Sequence, residues 1–189
     1  MTPTARILGI SGSLRRDSHN TSLLRAAAMS LPSGVELELF DGLGDLPHYN
    51  ADIDVDHAPE AVVHLRETIA GADGVLIATP EFNGSIPGVL KNALDWASRP
   101  FPDNALRGMP VAVVGASTGL FGAVWAQAEV RKVLETIGAD VIDAELPVGQ
   151  AHIAFGDDGH LADAGTRDAL EGLVAVLATR AGAAEAMAT

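Results

Sequence analysis

Three short stretches gather residue types that hold ligands. The first, GSLRRDSHNTSLL from Gly12 to Leu24, sets Ser13, Arg15, Ser18, Asn20 and Thr21 just ahead of a helical run. Hydroxyls, a guanidinium fork and the unpaired amides of a helix start together make an anion cradle, because amides and dipole both favour a phosphate. An ordinary polar turn with a Ser or Asn cap accounts for the same residues equally well. Two familiar phosphate loops are excluded. The Walker pattern requires Gly-Lys followed by Ser or Thr, and the glycines at 9 and 12 do not form G-x-G-x-x-G. A monophosphate held mainly by hydroxyls is the expected ligand.

The second stretch, PEFNGSIPGVLKNALDW from Pro80 to Trp96, leaves an apolar run through a turn and resumes as a helix. Pro80 and Gly84 shape the turn, Asn83 and Ser85 are candidate caps, and Pro87 is tolerated in a first helical turn, so a helix is expected from near Ile86. Glu81 and Phe82 add a carboxylate and an aromatic to a loop longer than a bare connection needs. Such a loop suits the edge of a flat heteroaromatic ring. In the third stretch, Gly115 to Gly119 (GASTG), the glycines let backbone amides approach a ligand's carbonyl or ring nitrogen.

These loops need elements to position them. Apolar runs at 5–11, 35–40, 74–78, 111–116 and 139–142 alternate with helical periodicity at 19–31, 59–71, 86–98, 122–137 and 163–181. Continuous runs such as VLIA and VAVV read as strands buried on both faces, hence a parallel sheet covered by helices. Right-handed crossovers then give a doubly wound α/β fold, with the five strands ordered 2-1-3-4-5 and one domain over 1–189. In that order the ligand crevice lies at the carboxyl ends of strands 1 and 3. The helix from Ile86 to Ala97 is apolar on more than one face; one face covers the sheet and the other is expected to meet a second copy of the chain.

At this point the strings GSLRRDSHN, PEFNGSIPGVLKNALDW, and SRP at 98–100 followed by LRGMPVAVVGAS closely resemble the NADPH-dependent FMN reductase family. That family includes flavodoxin-like quinone, azo and chromate reductases, and the resemblance covers nearly the whole chain. It implies a flavodoxin-like three-layer fold, bound FMN, and NADPH or NADH as hydride donor. It implies that Ser13, Arg15, Ser18, Asn20 and Thr21 hold the FMN phosphate. Pro80, Glu81, Phe82, Asn83, Gly84 and Ser85 would border the isoalloxazine, with Ser117 and Gly119 near its pyrimidine side. Many relatives carry Tyr where this chain has Phe82, which removes one hydroxyl and keeps the aromatic surface. Arg99 follows the helix from Ile86 to Ala97 and, in similar proteins, lies near a subunit boundary. The implied chemistry is hydride transfer through the flavin to a small acceptor such as a quinone, flavin, azo compound or chromate, with no catalytic side chain, in a homodimer or homotetramer.

Other readings compete. Gly115 to Gly119 also fits the hydrolase motif G-x-S-x-G, with Ser117 as nucleophile and Asp143 or Asp157 and His152 or His160 as partners. A nucleophile elbow turns straight into its helix, however, and Leu120, Phe121 and Gly122 intervene. A flavodoxin-type electron carrier shares the fold and FMN without nicotinamide chemistry. Asp52, Asp54 and Asp56 alternate like a calcium loop, but His57 replaces its glycine and Val63 its terminal glutamate, so no metal is expected. The pairs His57 with Glu60 and His64 with Glu67 lack a third ligand. The long loop 42–58, with His48 and Tyr49, is a candidate roof for a substrate pocket.

Bulk composition narrows the partners. The chain has 25 acidic against 12 basic residues, a net charge of −13, which disfavours nucleic acid and anionic lipid. No apolar run approaches the ~20 residues of a membrane span, and the N-terminus lacks the pattern of a secretory signal, so a cytoplasmic protein is expected. With no cysteine, thiolate and disulfide chemistry is absent.

Overall fold

The structure, a computed structural model, describes residues 5–54 and 58–182. Asp56, His57 and the last seven residues of the Ala-rich end therefore lie outside the described residues. The strands are β1 (Ala5–Ser11), β2 (Val35–Leu39), β3 (Gly74–Thr79), β4 (Pro110–Ala116), β5 (Asp140–Val141) and β6 (Pro147–Val148). All neighbouring pairs are parallel, in the order β2-β1-β3-β4-β5, with β6 also on β4. The expected order is the observed one.

Alternation along the central strands builds two cores. Leu76, Ala78, Ala112 and Val114 face α1 (His19–Met29) and α5 (Ala164–Arg180). Val75, Ile77, Val111 and Val113 face α2 (Glu60–Ala70), α3 (Gly88–Ala97) and α4 (Val124–Ile137). Each fully buried Val, Leu or Ile side chain contributes about 1.5–3 kcal/mol relative to exposure. This double burial is why β3 and β4 read as unbroken apolar runs.

The fifth strand departs from expectation. In place of one strand over 139–142, β5 pairs with the start of β4 and β6 with its end, and the chain bulges out of the ladder between them. The buried Gln127 of α4 bridges this break: its Oε1 accepts from Leu146 N (3.2 Å) and its Nε2 donates to Gly122 O (3.0 Å). A polar residue in the first turn of α4 thus satisfies a backbone N–H just before β6 and a carbonyl of the loop ahead of the helix.

Two helix starts also differ. Helix α3 begins at Gly88, because Pro87 holds the N-cap position with an extended ψ of 141°, and neither Asn83 nor Ser85 caps it. Helix α4 begins at Val124, after Ala123 in the left-handed region at φ 63°. The second apolar face of α3 is covered from within the chain. Trp96 is fully buried, donates from Nε1 to Pro47 O (2.7 Å) and meets the Tyr49 ring edge-on at 4.8 Å.

Candidate functional site

The loops after β1, β3 and β4 converge at the carboxyl end of the sheet. Gly12 N donates to Ala78 O (2.8 Å), extending the β1–β3 ladder into the first loop. A Cβ on Gly12 would lie 3.1 Å from both Leu90 Cδ2 and Pro80 Cδ, so glycine lets the first and third-strand loops meet. A cavity of about 220 Å³ results, lined by Ser13, Arg15, Ser18 and Asn20 from the first loop, Pro80, Glu81 and Phe82 from the second, and Ser117 with Thr118 from the third. Asn83, Gly84, Ser85, Gly119 and Thr21 stand outside this lining.

The first loop divides into fixed and available groups. Ser18 is the N-cap of α1; its hydroxyl oxygen accepts from Asn20 N (3.2 Å) and Thr21 N (3.3 Å). Asn20, buried, is engaged with the far side of the crevice: its Nδ2 donates to Ala116 O (3.0 Å) and its Oδ1 accepts from Ala116 N (2.9 Å). Thr21 Oγ1 donates to Ser11 Oγ (3.0 Å). The Asn20 and Thr21 side chains are thus paired within the protein, while the Arg15 guanidinium and the hydroxyl protons of Ser13 and Ser18 have no acceptor among the described residues. The backbone N–H groups of Arg16, Asp17, Ser18 and His19 find no acceptor within the described residues.

In the second loop Phe82 and Ser85 exchange backbone hydrogen bonds (3.0 and 3.1 Å) around Asn83 (φ 56°) and Gly84 (φ 75°). This is the Asn-Gly geometry of a type I′ turn, in which both central residues need positive φ. Two carboxylates lock the turn to α4. Glu81 Oε2 accepts from Trp125 N and Ala126 N (both 3.1 Å), capping a helix that has no side-chain cap of its own. In return, Glu129 Oε2 accepts from Ser85 Oγ (2.6 Å) and Ile86 N (3.3 Å). The pair leaves Phe82 standing 57% exposed at the crevice mouth.

The third loop is tied down through its carbonyls. Ser117 O accepts from Ala151 N (2.9 Å) and Gly119 O from Gln150 N (2.8 Å), and Gly149 backs so closely on Leu120 that a Cβ would lie 2.3 Å from its carbonyl oxygen. The N–H groups of Thr118, Gly119 and Leu120 have no acceptor within the described residues. They are donors without partners beside the cavity. No hydrogen bond joins Ser117 Oγ to a histidine among the described residues, and α4 begins seven residues after it, so the hydrolase geometry is not formed.

A second cavity of about 650 Å³ adjoins the first and shares Ser13, Arg15 and Phe82 with it; Leu14, Leu43, Leu46 and Val89 add an apolar wall, and His48 and Asn92 add polar groups. The segment 42–54 supplies part of that wall and is clamped to α3. Asn92 Nδ2 and Trp96 Nε1 both donate to Pro47 O (2.9 and 2.7 Å), and Asn92 Oδ1 accepts from Tyr49 N (2.8 Å). Arg99 stacks on Tyr49, with its guanidinium 6.0 Å from the ring centroid and its Nε donating to the hydroxyl (3.3 Å). Arg66 pairs with Asp54 (2.8 Å), which engages one of the three alternating aspartates. Sequence reasoning missed His19 and Thr118 as lining residues. Nothing in the spacing set His19 apart from a solvated helix start.

A doubly wound sheet of order 2-1-3-4-5 whose three switch-point loops offer hydroxyls, a guanidinium and free amides defines a flavodoxin-like mononucleotide-binding protein. A solved flavodoxin from Pseudomonas aeruginosa shares the fold, with a TM-score of 0.57 at 16% identity over 94% of this chain and 99% of that one. The sequence model of the NADPH-dependent FMN reductase family matches residues 5–153, and the chain belongs to that family. It is 41% identical to an NAD(P)H-dependent FMN reductase of Pseudomonas aeruginosa over 90% of this chain and 92% of that one. It is 39% identical to a quinone reductase of Pseudomonas putida, over 92% and 93% of the two chains. The structure of FerB, a flavoenzyme NAD(P)H:(acceptor) oxidoreductase from Paracoccus denitrificans, matches with a TM-score of 0.84 at 38% identity, covering 95% of this chain and 98% of that one.

FMN is therefore the cofactor and NAD(P)H the electron donor. The residues present fit that cofactor. Free amides, two hydroxyls and one guanidinium surround the smaller cavity, and the adjoining one has room and apolar surface for a ring.

Proposed function

We propose that the protein oxidises NAD(P)H and passes two electrons through FMN to a small aromatic acceptor of the quinone class. The observation that carries this reading is the apolar cavity beside the phosphate-sized one, walled by Leu14, Leu43, Leu46, Phe82 and Val89. A carrier would hold the same ring there, and the likeness to an NAD(P)H-dependent FMN reductase and a quinone reductase is what favours turnover over carriage. Bound FMN supplies hydride acceptance and release. The chain's own groups do the rest. Ser13, Arg15, Ser18 and the amides of 16–19 take the phosphate, and Phe82, with Pro80 and the backbone of Glu81, Asn83, Gly84 and Ser85, borders the ring. The free amides of Thr118, Gly119 and Leu120 stabilise negative charge on the pyrimidine side as donors already in place. No side chain acts as nucleophile, and Ser117 serves through its place in the loop.

Among the described residues no helix is long and apolar enough to cross a membrane. We place the protein in the cytoplasm, where a nicotinamide donor is regenerated; recovery in a secreted or periplasmic fraction would overturn that. The test of function is an anaerobic spectrum of the FMN-loaded protein before and after one equivalent of NAD(P)H. Loss of the flavin band near ~450 nm, restored by a quinone, is the expected result. Flavin that binds yet stays oxidised would identify an electron carrier instead.

A further inference from the structure

His19 occupies the first position of α1, directly after the capping Ser18, and lines the same cavity as Ser13, Arg15 and Ser18. Its ring is half-buried and lies parallel to that of Phe155, at 5° and 6.4 Å between centroids. Neither ring nitrogen has a hydrogen-bond partner within the described residues. An imidazole braced on one face and unpartnered at its edge, in a cavity of hydroxyls and amides, is a donor waiting for an acceptor.

We propose that His19 is a ligand of the FMN phosphate and takes up a proton when the phosphate binds, so that FMN is held tightest at acidic pH and less tightly as pH rises. The proposal rests on the reading that this cavity takes the phosphate. The charged and titratable groups around the ring come from three segments. Arg15 lies on the same loop with Arg16 and Asp17 beside it, His152 follows β6, and Glu81 faces across the cavity with its carboxylate oxygen engaged by α4. In the free protein, burial first and then Arg15 and His152 hold the His19 imidazole below its ordinary value, which favours the neutral ring. A phosphate dianion reverses the local field and favours the imidazolium. The sign follows: the bound form has the higher value, so the extra affinity is complete below the free-protein value and is lost as pH rises through the bound one. The phosphate's own second ionisation, near pH ~6, acts in the opposite direction, which keeps the two effects separable above that pH.

The experiment is a fluorescence titration of the apoprotein with FMN, and in parallel with riboflavin, from pH 6.5 to 8.5. The expected result is FMN affinity falling roughly three- to fivefold across the range, less than the tenfold limit of a one-unit displacement because the range starts above the free-protein value, with riboflavin nearly flat. His19→Phe keeps the stacked ring and should weaken FMN at pH 6.5 and flatten its profile, while His152→Gln keeps the slope. The ring resonance of His19, followed by NMR, should titrate at higher pH with FMN bound than without it. A wild-type FMN profile as flat as that of riboflavin, or one unchanged by His19→Phe, would overturn the proposal while leaving the cavity's assignment intact. Failure to bind FMN at any pH would sink that assignment, and the proposal with it.

Discussion

Asn20 shows how a residue in a binding motif acts through structure. Its amide clasps both backbone groups of Ala116, joining the first loop to the end of β4, so that two walls of the cavity are held in one frame. Asn20→Ala would leave a buried N–H and C=O unpaired, costing about 1–3 kcal/mol. Urea unfolding of the apoprotein should show that loss, and FMN titration should show weaker binding because Ser18 and His19 sit on the same turn. Unchanged stability would mean that water replaces the clasp. The motif names Asn20 as a candidate ligand contact; in the structure it lines the cavity while its amide is paired with Ala116. A side chain's type is legible in a sequence; which of two nearby partners it satisfies depends on distances across the fold.

Among elements, the segment 42–54 and α3 form one unit. Asn92 grips Pro47 and Tyr49 on either side of His48, and Trp96 adds a third bond. Asn92→Ala should loosen the segment without touching the phosphate loop. Hydrogen exchange at 45–54 should quicken, and the KM for a quinone should rise several-fold while the Kd for FMN stays close to that of the wild type. A parallel rise in both constants would show that the segment supports the flavin as well. The apolar pattern of α3 reads as one face on the sheet and one on a second copy; in the structure a loop more than 40 residues upstream covers part of that second face, a contact that leaves no periodic trace. The break between β5 and β6 was hidden for a similar reason. Its repair lies in Gln127, a residue whose role depends on a strand nearly twenty positions away.

At the scale of the molecule, the exposed apolar surface is uneven. Leu120 (75% exposed), Phe121 (63%) and Trp125 (53%) stand together at the start of α4, with Phe121 and Trp125 edge-to-face at 5.2 Å. Glu81, which lines the cavity, accepts from the Trp125 backbone, so this patch lies beside the turn 82–85. On the proposal that the chain self-associates as a homodimer or homotetramer, this patch is the natural contact, and the outer face of α3 contributes only what Ile86 and Val89 leave uncovered. Trp125→Glu is expected to shift the assembly toward monomer in light scattering, without unfolding, since the ring is exposed. A monomeric wild type would remove the basis for that expectation.

The sequence by itself determined the layered α/β architecture, the strand order, the three loops and the family, because these follow from local signals: the period of apolar residues, the placement of Gly and Pro, and short ordered motifs. Only the tertiary structure decided that Asn20 pairs with Ala116 and Thr21 with Ser11, that Glu81 caps α4 while Glu129 holds Ser85, that His19 lines the cavity between the loops, and that α3 hides Trp96 beneath Pro47. Each of those choices pairs groups distant in the chain. Hydrogen bonds act over about 3 Å, so their partners are settled only once the sheet has brought the loops together.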